Sequence, residues 1–231
     1  MPEGKQVQQM FSAIAGKYDV LNHVLSGGVD FYWWRRMARA SGAGLGKRFL
    51  DVAAGTGDSS VALARCGADV VSTDFTHAML RLGPAKFLRK HVSERIWASS
   101  DADAQRLPFR EASFDGITIC YGIRNVEHRP LAYAEFLRVL KPGGQLTILE
   151  FSQPVFPGLR GLYDWYSRRV LPRIGAWISG DASAYHYLPA SIRAFPNQKA
   201  LAVELETAGF QRVGWTNLTG GIVALHVGVK P

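Results

Sequence analysis

The stretch LDVAAGTGDSS (50–60) sets two glycines, Gly55 and Gly57, between two acids, Asp51 and Asp58, behind a short apolar run. A G-x-G turn between a strand and a helix points backbone N–H groups at a ligand, most familiarly a pyrophosphate. The acids argue against that guest, because carboxylates crowded around a phosphate repel it strongly where water is scarce. The third glycine of the dinucleotide pattern is also absent, with Ser60 in its place. A cationic nucleoside suits the loop better. S-adenosylmethionine offers an ammonium and a sulfonium to Asp51 and its surroundings, and a single carboxylate to the loop N–H groups. Asp74 closes the next apolar run, seventeen positions after Gly57, where a carboxylate can accept both ribose hydroxyls. A lone G-x-G is often only a turn, and the placement of Asp74 is what raises this one above that reading. Thr56 is a donor to the cofactor or a helix cap, and Asp58 is expected to be the N-cap.

Farther along, Asp103 and Ala104 offer a carboxylate for an adenine amino group and a backbone N–H for a ring nitrogen, against the plainer reading of a solvated acidic loop. Cys120 would lie beside the cofactor, or serve as a small buried hydrophobe. No His, Cys and carboxylate cluster stands at ligand spacing, so no metal is expected. Cys66 and Cys120 lie far apart without a C-x-x-C, a usage that suits a reducing cytoplasm.

These residues need strand ends and helix starts to hold them. From residue 48 onward, apolar runs of strand length alternate with helical periodicity: strands at 48–55, 69–75, 95–100, 114–122 and 145–151, helices at 58–66, 76–90 and 130–140. Unalternating apolar strands separated by helices predict a mostly parallel sheet covered on both faces, a doubly wound α/β fold. Segments 209–219 and 222–230 flank Gly220-Gly221 and read as an antiparallel β-hairpin, free either to join the sheet or to help form a homodimer. Residues 5–40 and 155–195 read as helical. The whole, 1–231, is expected to be one domain: a helical cap (1–45), a cofactor core (46–154), a helical lid (155–195), then a C-terminal helix and hairpin (196–231).

The 231 residues are 47% hydrophobic and 20% charged with a net charge of +8, an ordinary globular composition with a basic bias. The N-terminus lacks a signal-peptide pattern and no apolar run reaches membrane-spanning length, so a cytoplasmic protein is expected. The bias suits an anionic membrane face, nucleic acid or mere solubility. Without a Lys/Arg-rich stretch or RNA module, nucleic acid is not expected as a partner.

The residues LDVAAGTGD, Asp74-x-x-x-x-Met79-Leu80-x-x-Gly83-x-x-Lys86, DAQRLPF, FDGITICYGIRNV and LRVLKPGG resemble a class I, Rossmann-like S-adenosylmethionine-dependent methyltransferase. KYDVLNHVLSGG (17–28), YGIRNV (121–126), LEFSQP (149–154), SAYHYLPASIRAFPNQ (183–198) and NLTGGIVALHVGVK (217–230) narrow this to the ubiquinone/menaquinone biosynthesis C-methyltransferases, the demethylmenaquinone methyltransferases. The resemblance runs from about Lys17 to Lys230. It implies cofactor contacts at Thr56, Asp74, Asp103, Ala104 and Cys120, with the helix around Tyr18 closing over them. This chain departs from the family pattern at Cys120, often serine, at Tyr121, usually phenylalanine, at Gln105, usually glutamate, and at Asp30-Phe31, often His-Arg.

The implied reaction is C-methylation of a polyprenylated quinol. A phenol that sheds its proton drives electron density onto its ortho carbon, which attacks the sulfonium methyl in line; an oxidised quinone cannot. The site must supply a route for that proton, alignment and dryness. Arg124 is the favoured catalytic residue, stabilising the phenolate because arginine stays charged. His128, Asp30, His186 and Tyr185 are weaker candidates, with His128 more plausibly a solvated turn residue, and Asn125 equally a local cap. Residues 158–178 carry four arginines and one aspartate among aromatics, either an amphipathic segment on anionic lipid or an ordinary lid, with Pro172 breaking any continuous face. Competing readings are a methyltransferase for another small aromatic or lipid, an RNA-binding relative, and a silent scaffold.

Overall fold

The computed structural model describes residues 4–166, 169 and 183–231. The apolar runs form one sheet of seven strands in the order β3-β2-β1-β4-β5-β7-β6. These are β1 (Arg48–Val52), β2 (Asp69–Asp74), β3 (Ile96–Asp101), β4 (Phe114–Cys120), β5 (Leu140–Phe151), β6 (Gln211–Leu218) and β7 (Val223–Val229). The first five are parallel, and β7 runs antiparallel against both β5 and β6. The hairpin therefore joins the sheet, with β7 inserted between β5 and β6.

Helices cover both faces, as buried parallel strands require. Period-two alternation divides the strand residues. Leu50, Ile117 and Ile119 pack with Tyr133 and Phe136 of α7 (Arg129–Val139) and with Leu201 and Leu205 of a C-terminal helix, Gln198–Ala208. Phe49, Val70 and Leu149 face the other way, against Met37 of α3 (Asp30–Ala40), Leu63 of α4 (Asp58–Arg65) and Phe87 of α6 (Gly83–Arg89). A cap lies over the strand ends, formed by α1 (Gly4–Ile14) and α2 (Tyr18–Ser26), with its own small apolar cluster around Ile14 and Leu21. Beyond β5 come α8 (Pro157–Trp165) and α9 (Ser183–Ala194), and the helix Gln198–Ala208 is α10. Asn197 caps α10 by accepting from the Ala200 N–H at 3.0 Å.

Two boundaries differ from the sequence expectation. The helix expected over 76–90 splits into α5 (His77–Leu80) and α6, because Pro84 has no N–H to continue a helix and instead starts one. The strand expected at 145–151 begins earlier, with KPGG (141–144) absorbed into β5: the ladder partner of Phe114 is Leu140 and that of Gly116 is Gln145, so residues 141–144 bulge out, with Gly143 at a φ of +75°. The arginine-rich stretch 158–178 lies in large part outside the described residues. No described helix is long and apolar enough to cross a membrane.

Candidate active site

At the carboxyl ends of β1, β2 and β4 the chain leaves a cavity of about 490 Å³, the crevice that open α/β sheets offer to ligands. Gly55, Asp74, Asp103, Ala104, Cys120 and Tyr18 all line it. Three carboxylates, Asp74, Asp103 and Glu127, and no basic residue stand among its described lining. That charge balance rejects a pyrophosphate and suits a cationic nucleoside with hydroxyls to donate, so the residues fit S-adenosylmethionine. The Asp74 carboxylate accepts from the Gly55 N–H at 2.8 Å and the Thr76 N–H at 2.7 Å, which fixes it at the strand end. Burial still pushes its pKa upward against those bonds. Asp103 is oriented by the Gln105 N–H at 2.9 Å, and Gln105 in turn accepts from the His128 N–H at 3.0 Å. Burial also pushes the Cys120 thiol well up, so it remains a protonated apolar wall.

Asp51, Thr56 and Gly57 are not in that lining, and their local partners explain why. Asp51 is wholly buried beneath the loop, where Ser59 Oγ and Ser60 Oγ each donate to its Oδ2 at 2.6 Å and Thr118 Oγ1 donates to its Oδ1 at 2.8 Å. Ser60, in the place of a third glycine, is thus a donor that holds the acid. Burial raises the Asp51 pKa from 3.8 to about 6 despite the three bonds. Gly57 has a φ of +94°, and a Cβ there would lie 2.4 Å from the Phe87 ring. Its role is conformational: the chain must reverse into α4 directly over an aromatic side chain.

Thr56 neither caps a helix nor reaches the cavity. Its hydroxyl donates to Asp19 Oδ1 at 2.5 Å and accepts from Lys86 Nζ at 2.8 Å. Asp58 is likewise not the N-cap, a position held by Gly57 without a side-chain bond. As the first helical residue, Asp58 instead pairs with Lys86 Nζ at 2.9 Å, while Lys86 also meets Asp19 Oδ2 at 2.8 Å. The buried lysine thereby ties the cap helix α2 to the glycine loop, α4 and α6. Lys86 stood in the sequence pattern with no role assigned to it.

A second cavity of about 410 Å³ adjoins the first, with Phe11, Tyr18 and Tyr121 lining both. Its walls are largely aliphatic and aromatic, contributed by α1, α2, α3, α8 and α9. Arg124 lines this cavity and lies almost fully buried, its Nη1 donating to Glu150 Oε1 and to the Tyr121 carbonyl, both at 2.6 Å. Its guanidinium sits 5.6 Å from the Phe151 ring centroid. Burial disfavours the charge, but Glu150 more than offsets it, and the Arg124 pKa ends raised. Glu150, inside the quoted LEFSQP, is the partner that sequence reasoning missed. Three buried donors among the lining residues have no partner: Arg124 Nε, Tyr121 Oη and Trp34 Nε1. The His128 side chain is 66% exposed and borders neither cavity. Asn125 does not cap its turn; its Oδ1 accepts from Tyr187 Oη at 2.7 Å. Tyr185 and His186 have side chains outside the described residues. Among the described residues no group of three His, Cys or carboxylates gathers to hold a metal.

The sheet order and crevice are those of the S-adenosylmethionine-dependent methyltransferase fold. A solved methyltransferase of this class from Thermotoga maritima matches at a TM-score of 0.66 with 16% identity, over 96% of this chain and 99% of that one. The [4+2]-cyclase SpnF matches at 0.74 with 18% identity, over 100% and 97%, a reminder that the fold alone does not fix the chemistry.

Sequence narrows the class. The model of the ubiE/COQ5 methyltransferase family matches residues 2–230, and the chain belongs to that family. Ubiquinone/menaquinone biosynthesis C-methyltransferase UbiE of Stutzerimonas stutzeri is 44% identical over 237 residues, covering 100% of this chain and 92% of the relative. The protein of the same name from Pseudomonas paraeruginosa is 44% identical over 232 residues, covering 99% and 90%. The chain is accordingly an S-adenosylmethionine-dependent C-methyltransferase.

Proposed function

We propose that the enzyme methylates a ring carbon of a polyprenylated quinol, converting demethylmenaquinol to menaquinol, with the benzoquinol of ubiquinone synthesis as a second acceptor. The observation that carries this reading is the apolar cavity beside the acidic one, with unpartnered donors on Arg124, Tyr121 and Trp34 among its walls. An aromatic ring bearing two oxygens, and little else that is polar, suits such a lining. Buried donors left unpaired cost free energy, which a ligand oxygen recovers.

In this reading Asp74 accepts the ribose hydroxyls, Asp103 and Ala104 meet the adenine, and the Gly55 turn receives the amino-acid end of S-adenosylmethionine, whose methyl is the electrophile. Asp51, Thr56 and Gly57 shape that loop from behind. Tyr18 and Tyr121 stand between nucleoside and ring, excluding water from the transfer. Arg124, held by Glu150, stabilises the phenolate oxygen. The prenyl tail leaves past α8, where Trp165 lines the cavity yet is 57% exposed and Phe156 is 64% exposed. Aromatics so placed suit a peripheral stay at an anionic membrane that holds the tail.

Transfer of labelled methyl to demethylmenaquinol kept reduced with dithionite, beside an oxidised control, tests the reading. Methylation of the reduced sample alone is expected. No transfer to any quinol, with S-adenosylmethionine bound in the same tubes, would move the activity to another small aromatic or lipid acceptor.

A further inference from the structure

An apolar cavity is an expensive place for a carboxylate, and this one has Asp30 in its wall. Asp30 opens α3 with only 5% of its side chain exposed. Its Oδ1 accepts from Ser26 Oγ at 2.9 Å and its Oδ2 is bonded to His23 Nδ1. Asp30 lines the cavity, whereas His23 does not. The His23 imidazole lies behind the acid, stacked on Phe31 with ring centroids 4.5 Å apart, and is 30% exposed. Cavity, carboxylate, imidazole and solvent thus follow one another in that order.

The other polar groups around the cavity are poor acceptors of a proton. Arg124 is always charged and is paired with Glu150. Asp58 is held by Lys86. Burial pushes the hydroxyls of Tyr18, Tyr121, Tyr166 and Tyr187 upward, so they are donors at neutral pH. Among the described lining residues, Asp30 alone pairs an acceptor at the cavity wall with an imidazole that reaches water.

Resting on the quinol reading above, we propose that Asp30 takes the phenolic proton and that His23, a positioning and relay residue, passes it to solvent. The phenolic O–H proton moves to Asp30 as the ortho carbon bonds the methyl and the S–CH₃ bond breaks, its electron pair staying on sulfur. The methylated carbon then gives up its own proton while the ring oxygen regains one. One proton leaves in net, through Asp30 and His23.

The test compares wild type, Asp30→Asn and His23→Gln, measuring kcat, KM for reduced demethylmenaquinol and the solvent deuterium isotope effect on kcat, with S-adenosylmethionine affinity and thermal unfolding alongside. Asp30→Asn is expected to lower kcat by about 10²–10⁴-fold with nucleoside affinity intact. His23→Gln removes the group that receives the proton from Asp30, so kcat should fall at unchanged KM and its solvent isotope effect should rise. A merely structural pair would change unfolding and leave the isotope effect at its wild-type value. Asp30→Asn with kcat within about threefold of wild type, or an unchanged isotope effect in His23→Gln, overturns the proposal. Should Asp30→Asn fail to fold, the His23→Gln isotope effect decides alone. Wild type that binds S-adenosylmethionine but methylates no quinol overturns the quinol reading and this proposal together, whereas a normal wild type with an indifferent Asp30 variant overturns only this one.

Discussion

Asp51 shows how a single side chain can sit in a recognised pattern and do a different job from the one its neighbours suggest. Its charge is not spent on ligand; three hydroxyls consume it. With a folded-state pKa near 6 against an ordinary 3.8, the native protein binds this proton more tightly than the unfolded chain. Asp51 therefore costs stability above pH 6, and the cost is relieved as pH falls from about 6 towards 4, by up to on the order of 3 kcal/mol. In Asp51→Asn this slope should vanish, so urea midpoints of variant and wild type taken between pH 4 and 7 should diverge with a clear pH trend; a constant offset would contradict the assignment. Sequence revealed which positions carry oxygen and charge near the loop, and Gly55, Asp74, Asp103, Ala104, Cys120 and Tyr18 do meet at one cavity. It could not reveal depth. Asp51 and Thr56 lie in the same short motif as Gly55, and only the pleat and the turn decide that Gly55 faces the cavity while Asp51 meets α4 and Thr56 meets Asp19 and Lys86.

At the level of elements, the strands were legible because buried parallel strands are apolar on both faces. The split between α5 and α6 was written in Pro84. The tie between cap and core was not, since Asp19, Thr56 and Lys86 are far apart in sequence and meet only when α2 closes over the loop. Lys86→Met should release that closure. Two carboxylates would be left facing each other, at a cost of about 3 kcal/mol, and the cap should become sensitive to protease within residues 4–26 while the sheet stays folded. Circular dichroism with timed proteolysis reads both; a cap as resistant as wild type would show that apolar packing around Leu21 suffices without the lysine.

Taken whole, the molecule places its two cavities on opposite sides of a wall made by Phe11, Tyr18 and Tyr121, with the first two supplied by the cap. Gln8 of α1 also lines the cavity at the strand ends and donates to the Phe75 carbonyl at 2.7 Å. A ligand touching Gln8, Phe11 and Tyr18 gains those contacts only while the cap is in place, so we expect it to favour closure by mass action. S-adenosylhomocysteine at saturating concentration should therefore slow proteolysis of the cap about tenfold or more, measured on wild type without quinol. Equal rates with and without it would mean that the cap stays closed regardless.

The sheet order carries a different consequence, for synthesis. β6 is made before β7, yet β7 is the strand that pairs with β5, and β6 can add only to its outer side. A ribosome that has delivered everything through Leu218 has thus produced a chain whose Gln145–Phe151 edge still lacks a partner. The earlier strands can assemble as they emerge, but this edge waits for Val223–Val229. During that interval the nascent enzyme exposes the unpaired edge of an apolar strand, the kind of surface that chaperones shield and neighbouring chains misuse.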